Sequence, residues 1–117
     1  MIQILQSSRE NHRLQSKKYL AFSWEAEAYI LSSSDQADVY KITRALDKSI
    51  QIEPTIDRLL WRAKISAADN NFREAEKFIN RADSLANNRI ILNNKDLERI
   101  KHDRDNLIPN SEQDHSE

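Results

Sequence analysis

The chain has 117 residues, the usual length of one domain, and its 38% apolar content supports a modest core. With 18 Lys and Arg against 19 Asp and Glu, it has no strong net attraction for nucleic acid or an anionic membrane. No apolar run approaches the roughly 20 residues that span a bilayer, and the start lacks a signal-peptide pattern. We therefore expect a soluble protein, cytoplasmic by default, with no nucleic-acid partner and no membrane insertion.

The sequence contains neither glycine nor cysteine. Phosphate-binding loops and nucleophile elbows need glycine, while disulfides, thiolate metal sites and thiol nucleophiles need cysteine. The three histidines stand in separate polar settings. His102 follows Glu98 by four residues, a spacing more typical of a solvated helix pair than of a metal site. We predict no catalytic residues, no metal and no cofactor, and hence no enzyme.

The first half of the chain predicts two helices after an N-terminal segment, residues 1–19, that is helical from about residue 12. The first helix spans roughly residues 12–33 and ends in a serine run, where Ser34 or Asp35 can cap the next helix. Pro54 ends the second helix. Both helices have an apolar face, formed by Leu20, Trp24, Ala28 and Leu31 in the first and by Val39, Ile42, Leu46, Ser49 and Ile50 in the second.

The second half predicts three more helices. Thr55 can cap a third helix that ends at Asp69-Asn70-Asn71, and Asn71 with Glu74 resembles a capping box that opens a fourth. A fifth segment follows Asn93-Asn94 and closes at Pro109. Their apolar faces are Ile56, Leu59, Leu60, Ala63 and Ala67, then Phe72, Ala75, Ile79, Ala82 and Ala86, then Leu97, Ile100 and Leu107. Residues 110–117 carry no aliphatic or aromatic side chain and predict a disordered acidic tail.

The two predicted hairpins repeat one pattern. Ile42, Leu46, Ser49 and Ile52 match Ala75, Ile79, Ala82 and Leu85 at a constant offset of 33 residues. Trp24 and Ala28 match Leu59 and Ala63 at an offset of 35. A period near 34 residues with two helices per unit is typical of tetratricopeptide repeats.

Residues 55–88 resemble that family most clearly, through Leu59, Ala63, the run from Asn71 to Ala75, Ala82 and Leu85. Residues 20–54 resemble it in part, and a generic helical hairpin repeat is the alternative. Arg62 and Ser66 depart from the family, which has a large aliphatic and an aromatic residue there. The resemblance implies an all-α fold, a short right-handed α-solenoid of two repeat-like units, with residues 89–109 as a capping helix.

In the resembled family the first helices of successive units line a concave groove that receives a peptide or helix of another protein. By register, the groove residues here are Phe22, Glu25, Tyr29, Asp57, Leu60 and Lys64. The alternative is that the apolar members pack against the N-terminal segment. A second candidate is the basic stripe of Arg73, Lys77 and Arg81, which otherwise is a solvated outer face.

The resemblance thus predicts a scaffold or adaptor module that binds a protein. The other hypothesis is a structural subunit or oligomerisation domain that pairs with another copy, or a piece of a larger repeat-containing or membrane-associated protein.

Overall fold

The structure is a computed structural model that describes the backbone of residues 2–88 and 93–109 and the side chains of residues 13–88 and 93–109. Every regular element in these ranges is an α-helix, so the prediction of an all-α protein is confirmed. The chain divides into two compact units, Met1–Pro54 and Thr55–Glu117. The boundary falls at Pro54, between the two predicted hairpins.

The first unit is a pair of helices of unequal length. Helix α1 spans Ile2–Ser32, 31 residues, and packs against α2, Val39–Ile52, 14 residues. At a rise of about 1.5 Å per residue, α1 is therefore more than twice as long as its partner. Their shared core consists of small and aliphatic side chains, namely Ala21, Ala28, Ile42, Ala45, Leu46 and Ile50.

Helix α1 begins at Ile2, so the prediction of a helix from about residue 12 placed its start too late. The segment before residue 12 contains no proline and no glycine and consists mostly of good helix formers. Among the described side chains of α1, the first buried one is Ala21, next to the residue at which the apolar periodicity starts. Leu20 itself is exposed.

The cap of α2 also differs from the prediction. The side chain of Asp38, not Ser34 or Asp35, accepts hydrogen bonds from the backbone N–H groups of Tyr40 and Lys41, at 2.9 and 3.4 Å. Ser34 Oγ accepts instead from the N–H of Gln36 at 3.3 Å, within the connecting turn. Several neighbouring acceptors are chemically suitable caps, so helix capping alone does not select one. Val39, expected on the inner face, is exposed.

The second unit contains α3, Ile56–Ala68, α4, Phe72–Asn87, and α5, Asn94–Leu107. The predicted caps of α3 and α4 are confirmed, because Thr55 accepts from the N–H of Arg58 at 3.1 Å and Asn71 from that of Glu74 at 3.3 Å. Helix α5 contacts both α3 and α4 and ends before Pro109. Its Ile100 is buried.

The turn between α3 and α4 depends on asparagine in place of glycine. Asn70 has φ of 61°, in the left-handed region, which asparagine tolerates better than most residues. The N–H of Asn71 donates to the Ser66 carbonyl and that of Asn70 to the Ala67 carbonyl, both at 2.9 Å. These are the two bonds of a Schellman motif. The turn therefore joins two helices through only three residues, 69–71.

The predicted acidic tail, residues 110–117, lies outside the described residues, as does most of the connection that precedes α5.

Candidate functional site

The N-terminal half of α1 extends beyond its partner helix. Ser49 Oγ, one turn from the end of α2, donates a hydrogen bond of 2.6 Å to the carbonyl of Ala21. Because the two helices are joined by a short connection and run antiparallel, α2 ends near this level of α1. All eight side chains from Arg13 to Leu20 are exposed. A stretch of helix with no buried side chain gains almost nothing from packing.

An exposed apolar stripe lies on α1, on the side opposite α2. Its members are Tyr19, Phe22, Ala26, Tyr29 and Ile30, of which all but the half-buried Ala26 are exposed. Phe22 is 61% exposed and Tyr29 58%. The first four are spaced by three, four and three residues, which aligns them along one helix face. Residues Ala21 and Ala28, buried against α2, lie on the opposite side. Helix α1 thus has two apolar faces, of which one packs against α2.

The structure separates the predicted groove residues into two groups. Phe22 and Tyr29 belong to the exposed stripe, and Glu25 lies half-buried beside it. In the second unit Leu60 is only 1% exposed and contributes to the core, so it offers no accessible surface.

The two charged groove residues of α3 face α5. Asp57 Oδ1 pairs with Arg99 Nη1 at 2.7 Å, and Lys64 Nζ lies 3.9 Å from Asp103 Oδ2. Arg99 also lies 3.7 Å from Asp96 within α5. The sequence did not indicate these pairs, because the position of α5 across α3 is a tertiary contact that helix periodicity does not reveal.

A buried polar cluster joins α3 to α4. Arg62 Nη1 donates to Ser66 Oγ at 2.6 Å, Ser66 Oγ donates to Glu74 Oε1 at 3.0 Å, and Arg62 Nη2 makes an ion pair with the same carboxylate oxygen. Asn71 Nδ2 donates to the other oxygen, Oε2, at 3.0 Å. Arg62 and Ser66 are the two departures from the tetratricopeptide pattern. They hydrogen-bond each other, and both also contact the Glu74 carboxylate.

Phe78 is contacted by two guanidinium groups. The centre of the Arg62 guanidinium lies 4.8 Å from the ring centroid and that of Arg81 lies 5.6 Å from it. Both distances fit cation–π attraction. Arg81 of the predicted basic stripe therefore already contacts Phe78 within α4. Arg73 and Lys77, the other two residues of that stripe, are exposed on the same face of α4 as Arg81. No structural contact in the described residues assigns a ligand to this stripe.

No group of three or more His, Asp or Glu side chains in residues 13–88 and 93–109 is close enough together to hold a metal ion. Within the described helices, none is both long and apolar enough to cross a membrane. Most of the exposed large apolar residues in the described part of the chain lie on α1.

Comparison with models of protein families, with curated proteins and with solved structures finds no match to this chain.

Proposed function

We propose that this chain is a tetratricopeptide-like protein–protein interaction module and that the exposed apolar stripe of α1 receives a helix of another protein. The stripe is the observation that carries the proposal. Single exposed apolar side chains are ordinary on a protein surface, but aligned aromatic groups are typical of contact surfaces. Tyr and Phe are also enriched at protein interfaces because each covers a large area with few rotatable bonds.

Burial of small residues at the positions of the repeat pattern supports the family assignment. Ala28, Ala63, Ala75 and Ala82 are all fully buried. Alanine allows neighbouring helices to approach closely, as stacked helical repeats require. The solenoid arrangement of the two units is part of the proposal, as is the role of the charged groove residues of α3.

Site-specific photo-crosslinking tests this function. The full-length chain carries p-benzoylphenylalanine at Phe22 or, as a matched control, at Tyr40, an exposed aromatic residue of α2. After irradiation in an extract of the source cells, we expect protein adducts at position 22 and few at position 40. Equal labelling at both positions, or none at 22, contradicts the proposal.

A further inference from the structure

The exposed face of α4 carries a row of positive charge. Arg73, Lys77 and Arg81, the basic stripe, are spaced by four residues, so they align along one face of the helix, and all three are exposed. Within the described part of the chain, no carboxylate forms an ion pair with any of these cations. Arg81 contacts the Phe78 ring, but a cation–π contact leaves the positive charge of the guanidinium in place.

The acids nearest the stripe do not neutralise it. Glu74, in the first turn of α4, already pairs with Arg62 of α3 and accepts a hydrogen bond from Asn71. Glu76 is exposed at the edge of the stripe and, among the described residues, forms no ion pair with it. The stripe therefore keeps a net positive charge.

The C-terminal end of α5 lies at the same end of the second unit as the start of the stripe. Asp57 of α3 pairs with Arg99 of α5, and further along both helices Lys64 lies near Asp103, so α5 runs parallel to α3. The turn between α3 and α4 reverses the chain, so α4 runs antiparallel to both. The chain therefore leaves α5 at the end of the unit where α4 and its basic stripe begin.

The residues that follow α5 have the opposite charge. Residues 110–117 include Glu112, Asp114 and Glu117 and no lysine or arginine. They include no aliphatic or aromatic side chain either, so the contacts that they can make are polar. A row of exposed cations offers such a segment complementary charge.

The spacing of the acids fits the spacing of the cations. An extended chain spans about 3.3 Å per residue, so the residues from Glu112 onward reach from about 10 to about 26 Å beyond Pro109. The stripe is about 12 Å long at a rise of about 1.5 Å per residue. Glu112 and Asp114 are about 6.6 Å apart and on the same side in an extended chain, close to the rise of about 6 Å from Arg73 to Lys77.

We infer that residues 110–117 dock on the basic stripe of their own chain and run along α4 from Arg73 toward Arg81. Each pair is exposed and weak by itself. The tether to α5 replaces a bimolecular encounter with a high effective concentration, which favours several weak contacts at once. This contact is separate from the function proposed for α1 and does not rest on it.

Docking closes the stripe to other anions. A second acidic segment has to displace residues 110–117 before it binds Arg73 or Lys77, so these residues act as a competitor within the chain. The contact is carried by charge, and salt therefore weakens it.

Disulfide formation between engineered cysteines tests the docking, because the chain contains no cysteine of its own. The full-length chain carries Ser116→Cys together with either Asn80→Cys, beside the stripe, or His102→Cys, on α5. Both partner positions are exposed. Equilibration with oxidised and reduced glutathione gives the effective concentration of the two thiols in each chain.

We expect the effective concentration at low salt to be at least about fivefold higher with Asn80→Cys than with His102→Cys, because docking holds the segment beside α4. An undocked tether gives the opposite preference, since His102 lies closer along its helix to the start of the segment. Arg73→Gln/Lys77→Gln should remove the preference for Asn80→Cys, and about 1 M salt should do the same.

The matched control removes two exposed cations of α5 instead. Lys95→Gln/Lys101→Gln should change the ratio of the two effective concentrations less than about twofold. A control that lowers the ratio as much as the stripe variant shows that net charge, and not the stripe, attracts the segment, which overturns the proposal.

Two further results also overturn it. The first is a preference for His102→Cys, or no preference, at low salt. The second is a disulfide-linked dimer as the main product at low protein concentration, which means that the segment binds another copy. The photoprobe at Phe22 reports on α1 alone, so the failure of either proposal is recognised independently of the other.

Discussion

The two units of this protein use their helices differently. In the second unit each of the three helices contacts both of the others, and polar and ionic contacts supplement the apolar core. In the first, α1 has only α2 to pack against within its unit, over part of its length. A long helix paired with a short one has apolar surface left over, and here that surface carries aromatic side chains. The comparison shows that, within its own unit, α1 is less completely packed than the helices of the second unit are in theirs.

The largest expected effect on stability comes from replacing a buried leucine in each unit, and it tests whether the two units unfold independently. Leu46 in α2 and Leu59 in α3 are both almost fully buried, so replacing either with alanine should cost about 2–5 kcal/mol of unfolding free energy. We expect Leu46→Ala to raise hydrogen exchange mainly in α1 and α2, and Leu59→Ala mainly in α3 to α5. Exchange that rises throughout the chain in both variants contradicts the division.

Disrupting the polar cluster of the second unit should have the next largest effect on the free energy of unfolding. Arg62→Met or Glu74→Gln should each cost about 1–3 kcal/mol, because each leaves a buried or half-buried polar group without its ion-pair partner. The Glu74 side chain is 36% exposed, which moderates the loss. Urea unfolding of the two single variants and the double variant measures the coupling free energy between Arg62 and Glu74. A double variant that loses the sum of both single losses shows no coupling and excludes a cooperative cluster.

Substitutions in the three-residue turn between α3 and α4 should have a smaller effect on the stability of the second unit. Asn70→Val should cost about 1–2 kcal/mol, because a β-branched residue is poorly tolerated at positive φ. Asn70→Gly is the matched variant and should be neutral or slightly stabilising in thermal unfolding, since glycine adopts this conformation freely. If both variants lose the same stability, then the Asn70 side chain stabilises the turn and its left-handed backbone conformation does not limit which residue is tolerated.

The smallest effect concerns the pairs that join α3 to α5. Asp57 and Arg99 have side chains 72% and 48% exposed, so Asp57→Asn should cost only about 0.2–1 kcal/mol. The loss in melting temperature should shrink further at about 1 M salt, where surface charges are screened. Glu76→Gln, on the exposed face of α4, removes the same charge as a control. A loss several times larger than the control that persists in salt implies a structural role beyond a surface ion pair.

The sequence predicted the helices of this fold well where local chemistry sets a boundary. Pro54, Thr55 and Asn71 fix helix ends because the restraint acts within a few residues. It did not predict the start of α1, because the apolar periodicity used to place this helix begins only at Leu20. The choice of Asp38 as a cap was likewise not determined by residue type.

The candidate site was partly predictable. Phe22 and Tyr29 are exposed on one face of α1, whereas Leu60 and the charges of α3 are buried or paired inside their own unit. Periodicity finds an apolar face but does not say which helix covers it. The polar cluster left a signal in the sequence, since Arg62 and Ser66 stand where the resembled family has apolar residues. Their partner Glu74 was identified only as part of a cap.

The hydrogen bond from Ser49 to the Ala21 carbonyl has a consequence for register. The facing surfaces of α1 and α2 carry small and aliphatic side chains along their length, so sliding α2 along α1 by one turn, about 5.4 Å, preserves part of the apolar burial. A directional bond of 2.6 Å does not survive such a shift. In a slid arrangement the buried Ser49 hydroxyl is left without its acceptor, which penalises the alternative more than the bond stabilises the native pairing. Ser49 therefore selects one alignment of α2 along α1 over shifted alignments that bury a similar apolar area.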